Sequence, residues 1–251
     1  MTQVIRSPLE LKKWRKNVKG TVGFVPTMGA LHEGHEQLLK QARANNDVVV
    51  LSIFVNPTQF NDPNDLAKYP KTWDADLKMA ENNAVDVIFY PIYDEMYPDG
   101  YRFKVIENEF SKLLCGADRP GHFDGVLSVV MKLLNIVDAT HAYFGEKDYQ
   151  QLTLIRDMVK NFFMNVQIVP VPTMREKDGL AMSSRNTRLS PEDRKRAPEI
   201  YKAITQSPSA SVASEKLTAL GFKVDYVTDL NNRRFVAAHI GGVRLIDNVQ
   251  I

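Results

Sequence analysis

TVGFVPTMGALHEGHEQLL, residues 21–39, passes from an apolar run through a glycine-bearing turn into a segment with the pattern of a helix. A strand that gives way to a helix within a few residues is the first half of a βαβ unit. Further apolar runs of strand length follow: DVVVLSIFV at 47–55, VDVIFY at 85–90, HAYF at 141–144 and VQIVPV at 166–171. Helical patterns lie between several of them. Val126, Val129, Val130, Leu133, Leu134 and Val137 form one apolar stripe, and Leu152, Ile155, Val159 and Phe162 repeat that spacing. Val/Ile-rich strands alternating with amphipathic helices indicate a parallel sheet covered on both faces. The expected fold class is therefore α/β, a Rossmann-like doubly wound parallel sheet.

The texture changes after about residue 172. A polar loop, PTMREKDGLAMSSRNTRLS, leads into SPEDRKRAPEIYKAI, where Ser190 has the position of an N-cap followed by proline at the first helical site. The small, polar segment TQSPSASVAS follows, and then FKVDYVTD, RRFVAAHI and GVRLID, separated by Asn231, Asn232, Gly241 and Gly242. Two units are expected: a Rossmann-like domain over 1–174 and a small α+β C-terminal domain over 175–251.

Composition narrows the function classes. With 251 residues and 44% hydrophobic content a sizeable core can form. The 32 Lys and Arg nearly balance the 30 Asp and Glu, so no global field draws the chain to nucleic acid or to an anionic membrane. No apolar run approaches the roughly 20 residues of a membrane span. Cys115 is the only cysteine, and the N-terminus has no leader-like apolar segment, so a cytoplasmic location is expected.

In an open parallel sheet, ligands bind at the carboxyl ends of strands, where helix N-termini offer unpaired N–H groups. PTMGALHEGH occupies such a place. Gly29 would allow close approach to the backbone, Gly34 would leave the first helical turn uncrowded, and His32 and His35 would face a phosphate chain. Zinc is disfavoured, because HEGH spaces its histidines by three across a glycine, whereas metalloprotease ligands are four apart on a formed helix. YFGEKDYQQL, 143–152, puts Lys147 and Asp148 at a second strand end, and DGLAMSSRN, 178–186, supplies Ser183, Ser184 and Arg185 in a loop able to close over a triphosphate. Taken singly, each is also an ordinary charged turn, polar loop or capping residue.

Together these stretches resemble the pantothenate synthetase, or pantoate–β-alanine ligase, family of HxGH nucleotidyltransferases. FVNPTQF (54–60), YPKTWDADL (69–77), DEMYP (94–98), RPGHFDGV (119–126) and RLIDN (244–248) extend the resemblance over most of the chain. It implies ATP- and Mg²⁺-dependent condensation of D-pantoate with β-alanine through a pantoyl adenylate, releasing pyrophosphate and then AMP, in a homodimer. By the same resemblance ATP is contacted by Met28, Gly29, Ala30, Leu31, His32, Glu33, Gly34 and His35. A second group comprises Gly145, Glu146, Lys147, Asp148, Met174, Met182, Ser183, Ser184 and Arg185. His32, His35, Lys147 and Arg185 are the implied catalytic groups, with His35 a proton donor, and Gln59 and Gln151 the pantoate-binding amides. No metal ligand is assigned: Asp74 and Asp76 suit Mg²⁺, but equally suit the start of a helix. The region between PEIYKAI and KVDYVTD is shorter than is usual in the family. A tRNA-charging enzyme would share the HxGH and serine-loop logic but needs an anticodon module or basic surface run, neither of which is evident. A nucleotide sensor would need no pantoate amides, and substrate-dependent turnover separates it.

Overall fold

The computed structural model describes residues 2–251. Six parallel strands form one sheet: β1 (Gln3–Ile5), β2 (Val22–Thr27), β3 (Val48–Ile53), β4 (Val87–Phe89), β5 (His141–Gly145) and β6 (Gln167–Val171), in the order β1-β4-β3-β2-β5-β6. The five longer apolar runs are strands. β1 is not legible in the sequence, since three residues carry too little periodicity to be read.

Alternate residues of each strand enter opposite cores. Val22 and Phe24 pack with the helices Pro8–Asn17, His122–Val137 and Tyr149–Asn161, while Val25, Val49 and Leu51 pack with Glu33–Asn45 and Trp73–Asn82. The stripe from Val126 to Val137 is buried as its spacing requires. Phe162 departs from expectation. Its helix ends at Asn161, the following residue, Phe163, has φ 54°, and Phe162 itself is 59% exposed.

The strand order reverses between β2 and β5, and the strands part there. β2 pairs with β3 over six residues but with β5 only at Gly23↔His141 and Phe24↔Ala142. Pro26, which has no N–H to donate, lies beyond that last β2–β5 pair. A crevice therefore opens at the carboxyl ends of two neighbouring strands, the place where doubly wound sheets take ligands.

The C-terminal strands β7 (Lys223–Leu230), β8 (Arg233–Ile240) and β9 (Val243–Gln250) make a separate antiparallel sheet. Both its turns have two central residues with positive φ, Asn231 and Asn232 (51° and 57°), then Gly241 and Gly242 (55° and 75°), as tight hairpins require. Helices Glu199–Gln206 and Ala210–Ala219 cover the sheet, burying Ile200, Ile204, Ala213 and Leu217. Ser190 caps Pro191–Arg196 by accepting from Asp193 N–H at 3.1 Å. In TQSPSASVAS, Thr205 and Gln206 end the helix Glu199–Gln206, and from Ala210 the segment is helix again, capped by Ser209.

Candidate active site

The turn after β2 is built around a remote carboxylate. Gly29 and Ala30 take positive φ (80° and 51°), which turns the N–H groups of Ala30 and Leu31 onto Asp76 at 3.0 and 2.8 Å. Thr72 Oγ1 donates to the same side chain at 3.1 Å, and Asp76 is 2% exposed. Asp76 is thus a backbone anchor of the turn, while Asp74 is exposed in the first turn of its helix. Among the described residues no cluster of three or more His, Cys, Asp or Glu could hold a metal.

His32 is the N-cap of Glu33–Asn45. Its Nδ1 accepts from Gly34 N–H at 3.1 Å, and Nδ1 of His35 accepts from His32 N–H at 3.3 Å, a reciprocal capping box made of two imidazoles. The N–H groups of His35 and Glu36 go to the His32 carbonyl. The structure thus corrects the expectation of free N–H groups at Gly34, His35 and Glu36, all of which bond to His32. What the histidines offer instead is chemistry on the other side of each ring. With both Nδ1 atoms accepting, each neutral ring carries its proton on Nε2. The rings stand 4.1 Å apart. Gly34 permits this fold-over, since a Cβ there would sit 2.9 Å from His32 Cε1. Burial, then Lys147, lowers His32 to a pKa of about 4, and burial, then His32 and Lys147, lowers His35 to about 3. Both are neutral at pH 7.

After β5 a single turn, Glu146–Asp148, carries Lys147, whose side chain is 19% exposed and whose Nζ lies 3.8 Å from Asp148. The serine loop returns antiparallel through Arg175↔Ala181, and Met182 N–H donates to Met174 O at 3.0 Å. Ser183 then caps the short helix Ser184–Arg188, which holds Arg185. Arg185 and Arg188 share Asp65, one on each carboxylate oxygen, at 3.0 and 2.7 Å. Burial alone would raise the Asp65 carboxyl, but the two arginines outweigh it and hold the group below the usual range.

Beneath lies a cavity of about 260 Å³. It is lined by Met28, His32, Gly34 and His35, by Gly145, Lys147 and Asp148, by Met174, Met182, Ser183, Ser184 and Arg185, and by Gln59 and Gln151. Gly29, Ala30, Leu31, Glu33 and Glu146 do not line it: Ala30 and Leu31 are turned to Asp76, Glu33 is exposed, and the Glu146 carbonyl faces Asn248. A neighbouring cavity of about 350 Å³ shares Lys147, Asp148, Arg119, Ser183 and Arg185.

Three polar residues with no role assigned from sequence complete the site. Asn56, 1% exposed, donates to Gln59 Oε1 at 3.0 Å and to Gly125 O at 3.2 Å, and accepts from Tyr97 OH at 2.9 Å. His122 donates from Nδ1 to Gln59 O at 2.7 Å, and its Nε2 accepts from Arg119 at 3.2 Å. An arginine only donates, so this tautomer is forced, and burial, then Arg119, lowers His122 to about 3. Val126, Val129, Val130 and Leu133 add an apolar wall. Arg119 and His122 stand in RPGHFDGV, whose clustered polar residues before a helix were the available signal. Their partner Gln59 is about sixty positions away, and nothing local discloses that.

The sequence profile of the pantoate-beta-alanine ligase family matches residues 3–250. The chain is 72% identical over 251 residues to a pantothenate synthetase of Bdellovibrio bacteriovorus, with both chains covered in full, so the short C-terminal region is shared. It superposes with TM-score 0.95 and 43% identity on a pantoate-beta-alanine ligase from Francisella tularensis solved with beta-gamma ATP and beta-alanine, covering 100% of this chain and 98% of that one. A pantothenate synthetase from Thermus thermophilus matches with TM-score 0.91 and 41% identity over 99% of each chain.

Proposed function

The chain belongs to the pantoate–β-alanine ligase family, and on that premise we propose that it activates pantoate as an acyl adenylate in the 260 Å³ cavity and passes the acyl group to β-alanine there. The observation that carries this reading is a single recess in which the phosphate-type donors Lys147, Arg185 and the two histidines stand beside Gln59, Gln151 and an apolar wall. An amide donates to a carboxylate and accepts from a hydroxyl, and the valines suit the geminal methyls of pantoate. A carboxylate is a poor acyl donor until it has attacked the α-phosphorus of ATP, and charge then builds on the transferring group and on pyrophosphate. Lys147 and Arg185 meet that charge, and the Nε2–H groups of His32 and His35 add hydrogen bonds. In this reading the neutral histidines donate hydrogen bonds through Nε2, and the proton-donor role of His35 rests on the family resemblance.

No residue is assigned to Mg²⁺; bound together with the triphosphate, the ion would supply positive charge against the transferring group and the pyrophosphate. In the second step β-alanine attacks as the neutral amine, held in line by the site. Residues 175–251, with their own core, are the cover that keeps water from the adenylate. A homodimer rests on the family resemblance.

Pyrophosphate exchange tests the scheme. With pantoate, Mg²⁺ and labelled pyrophosphate but no β-alanine, label enters ATP; no exchange by a preparation that makes pantothenate would exclude a reversible adenylate.

A second test concerns Gly125. A Cβ there would stand 2.5 Å from Thr58 O and 2.8 Å from Gln59 N, both backbone atoms with no room to yield. Gly125→Ala is expected to lower stability by about 1–3 kcal/mol, the scale of overpacking, and to raise the pantoate KM far more than the ATP KM. Equal changes in both constants would detach Gln59 from pantoate.

A further inference from the structure

RLIDN, 244–248, lies toward the end of β9 in the C-terminal sheet, far along the chain from any group that meets phosphate. Asn248 is nevertheless 3% exposed, and its Nδ2 donates to the carbonyls of Glu146 at 3.0 Å and Lys147 at 2.9 Å. We propose that Asn248 is a positioning residue for adenylation: its amide clamps the backbone of the Glu146–Asp148 turn and so fixes where the Lys147 ammonium points.

The orientation of the amide follows from its other neighbour. Arg233 Nη1 lies 2.5 Å from Asn248 Oδ1, and a guanidinium has no acceptor, so the oxygen must face Arg233 and both N–H groups must face the two carbonyls. Arg233 is held in turn, with its guanidinium 3.7 Å from the centre of the Tyr149 ring, one residue past the turn. An aspartate would have the same shape and no hydrogen to give. A single 3₁₀ turn has little internal bonding to resist movement, so an outside clamp decides where it sits.

The same strand end also grips the second phosphate loop. Asn248 N–H donates to Asp247 Oδ1 at 2.8 Å, and Asp247 takes Arg175 on both oxygens at 2.6 and 2.9 Å. Arg175 donates to Gly179 O at 3.1 Å, at the root of the loop that carries Ser183 and Arg185. Two adjacent residues of β9 thus hold the lysine turn and the serine loop in one frame.

The inference rests on Lys147 acting in adenylation, and a double-mutant cycle separates the two claims. Pantoate-dependent pyrophosphate exchange is measured for Asn248→Asp, Lys147→Ala and the double variant, with melting temperatures alongside. Asn248→Asp should lower kcat by about 10-fold or more, the scale of a displaced catalytic group, with the pantoate KM unchanged because Gln59 and Gln151 are untouched. In the Lys147→Ala background the same change should cost less than about 2-fold, since two residues acting through one ammonium are not additive. Arg233→Met, which removes the group that orients the amide, should show a smaller loss with the same masking, and it carries the test if Asn248→Asp does not fold. Multiplicative losses would overturn the clamp while leaving Lys147 its role. A Lys147→Ala enzyme of normal rate would overturn both.

Discussion

Replacing Lys147 by alanine lowers the rate of adenylation by ~10² or more, the scale of removing one preorganised donor to developing charge, while the melting temperature barely moves. The asymmetry follows from the surroundings of Lys147. Its one ion pair is to Asp148 at 3.8 Å, and Asp148 is half exposed, so the contact is worth about 0–1 kcal/mol. Its other close effect opposes stability, since its charge helps to push His32 and His35 down. The alanine variant should therefore show both histidines titrating at higher pH by NMR. A variant that melts earlier but keeps its exchange rate would make Lys147 structural.

Acid should unfold the protein well above the range in which carboxylates titrate. His32, His35 and His122 are held at about 4, 3 and 3, against about 6.5 in an unfolded chain. Below pH 6.5 the unfolded state takes up protons that the folded state refuses, so stability falls as pH falls. The loss continues until the folded pKa values are reached. Each proton contributes a slope of up to about 1.4 kcal/mol per pH unit, and the three together about 4 near pH 5. Urea midpoints at pH 7, 6 and 5 measure it. His122→Gln retains a donor for the Gln59 carbonyl and an acceptor for Arg119, and it should remove about a third of the slope. A flat profile between pH 6.5 and 5 would show that the rings are charged in the fold.

The parts of this molecule that sequence disclosed are those whose causes are local. β2 and β5 are apolar runs ending in glycine-bearing turns, and the Asn-Asn and Gly-Gly pairs mark the C-terminal hairpins directly. The rim of the cavity followed, because a doubly wound sheet admits ligands at one edge. Where the sequence left a role open, the deciding partner lay far away along the chain. Asp76 suits a helix-start acid or a metal ligand in sequence because Ala30 and Leu31, its actual partners, are about 45 positions earlier. Asn56, Arg119 and His122 acquire their roles only when the His122 helix packs on the FVNPTQF turn. The closed helix entrance was legible in principle. His-x-x-His at N-cap and N3 has capping-box spacing, but imidazoles there suggest a ligand before they suggest a cap.

That cap limits which residues can replace the histidines. Each ring has two nitrogens facing opposite ways, one closing the helix and one facing the cavity. Aspartate would preserve the first function and abolish the second, and lysine or arginine would do the reverse. A protonated ring fails at the first as well, because its Nδ1 then carries a hydrogen against the N–H it should receive. The two positions are therefore closed to gradual drift: a substitution kept for stability silences the site, and one kept for charge frays the helix. Variants that recover function after losing either histidine should carry their compensation elsewhere, in a new cap or a new donor, and not at residues 32 and 35.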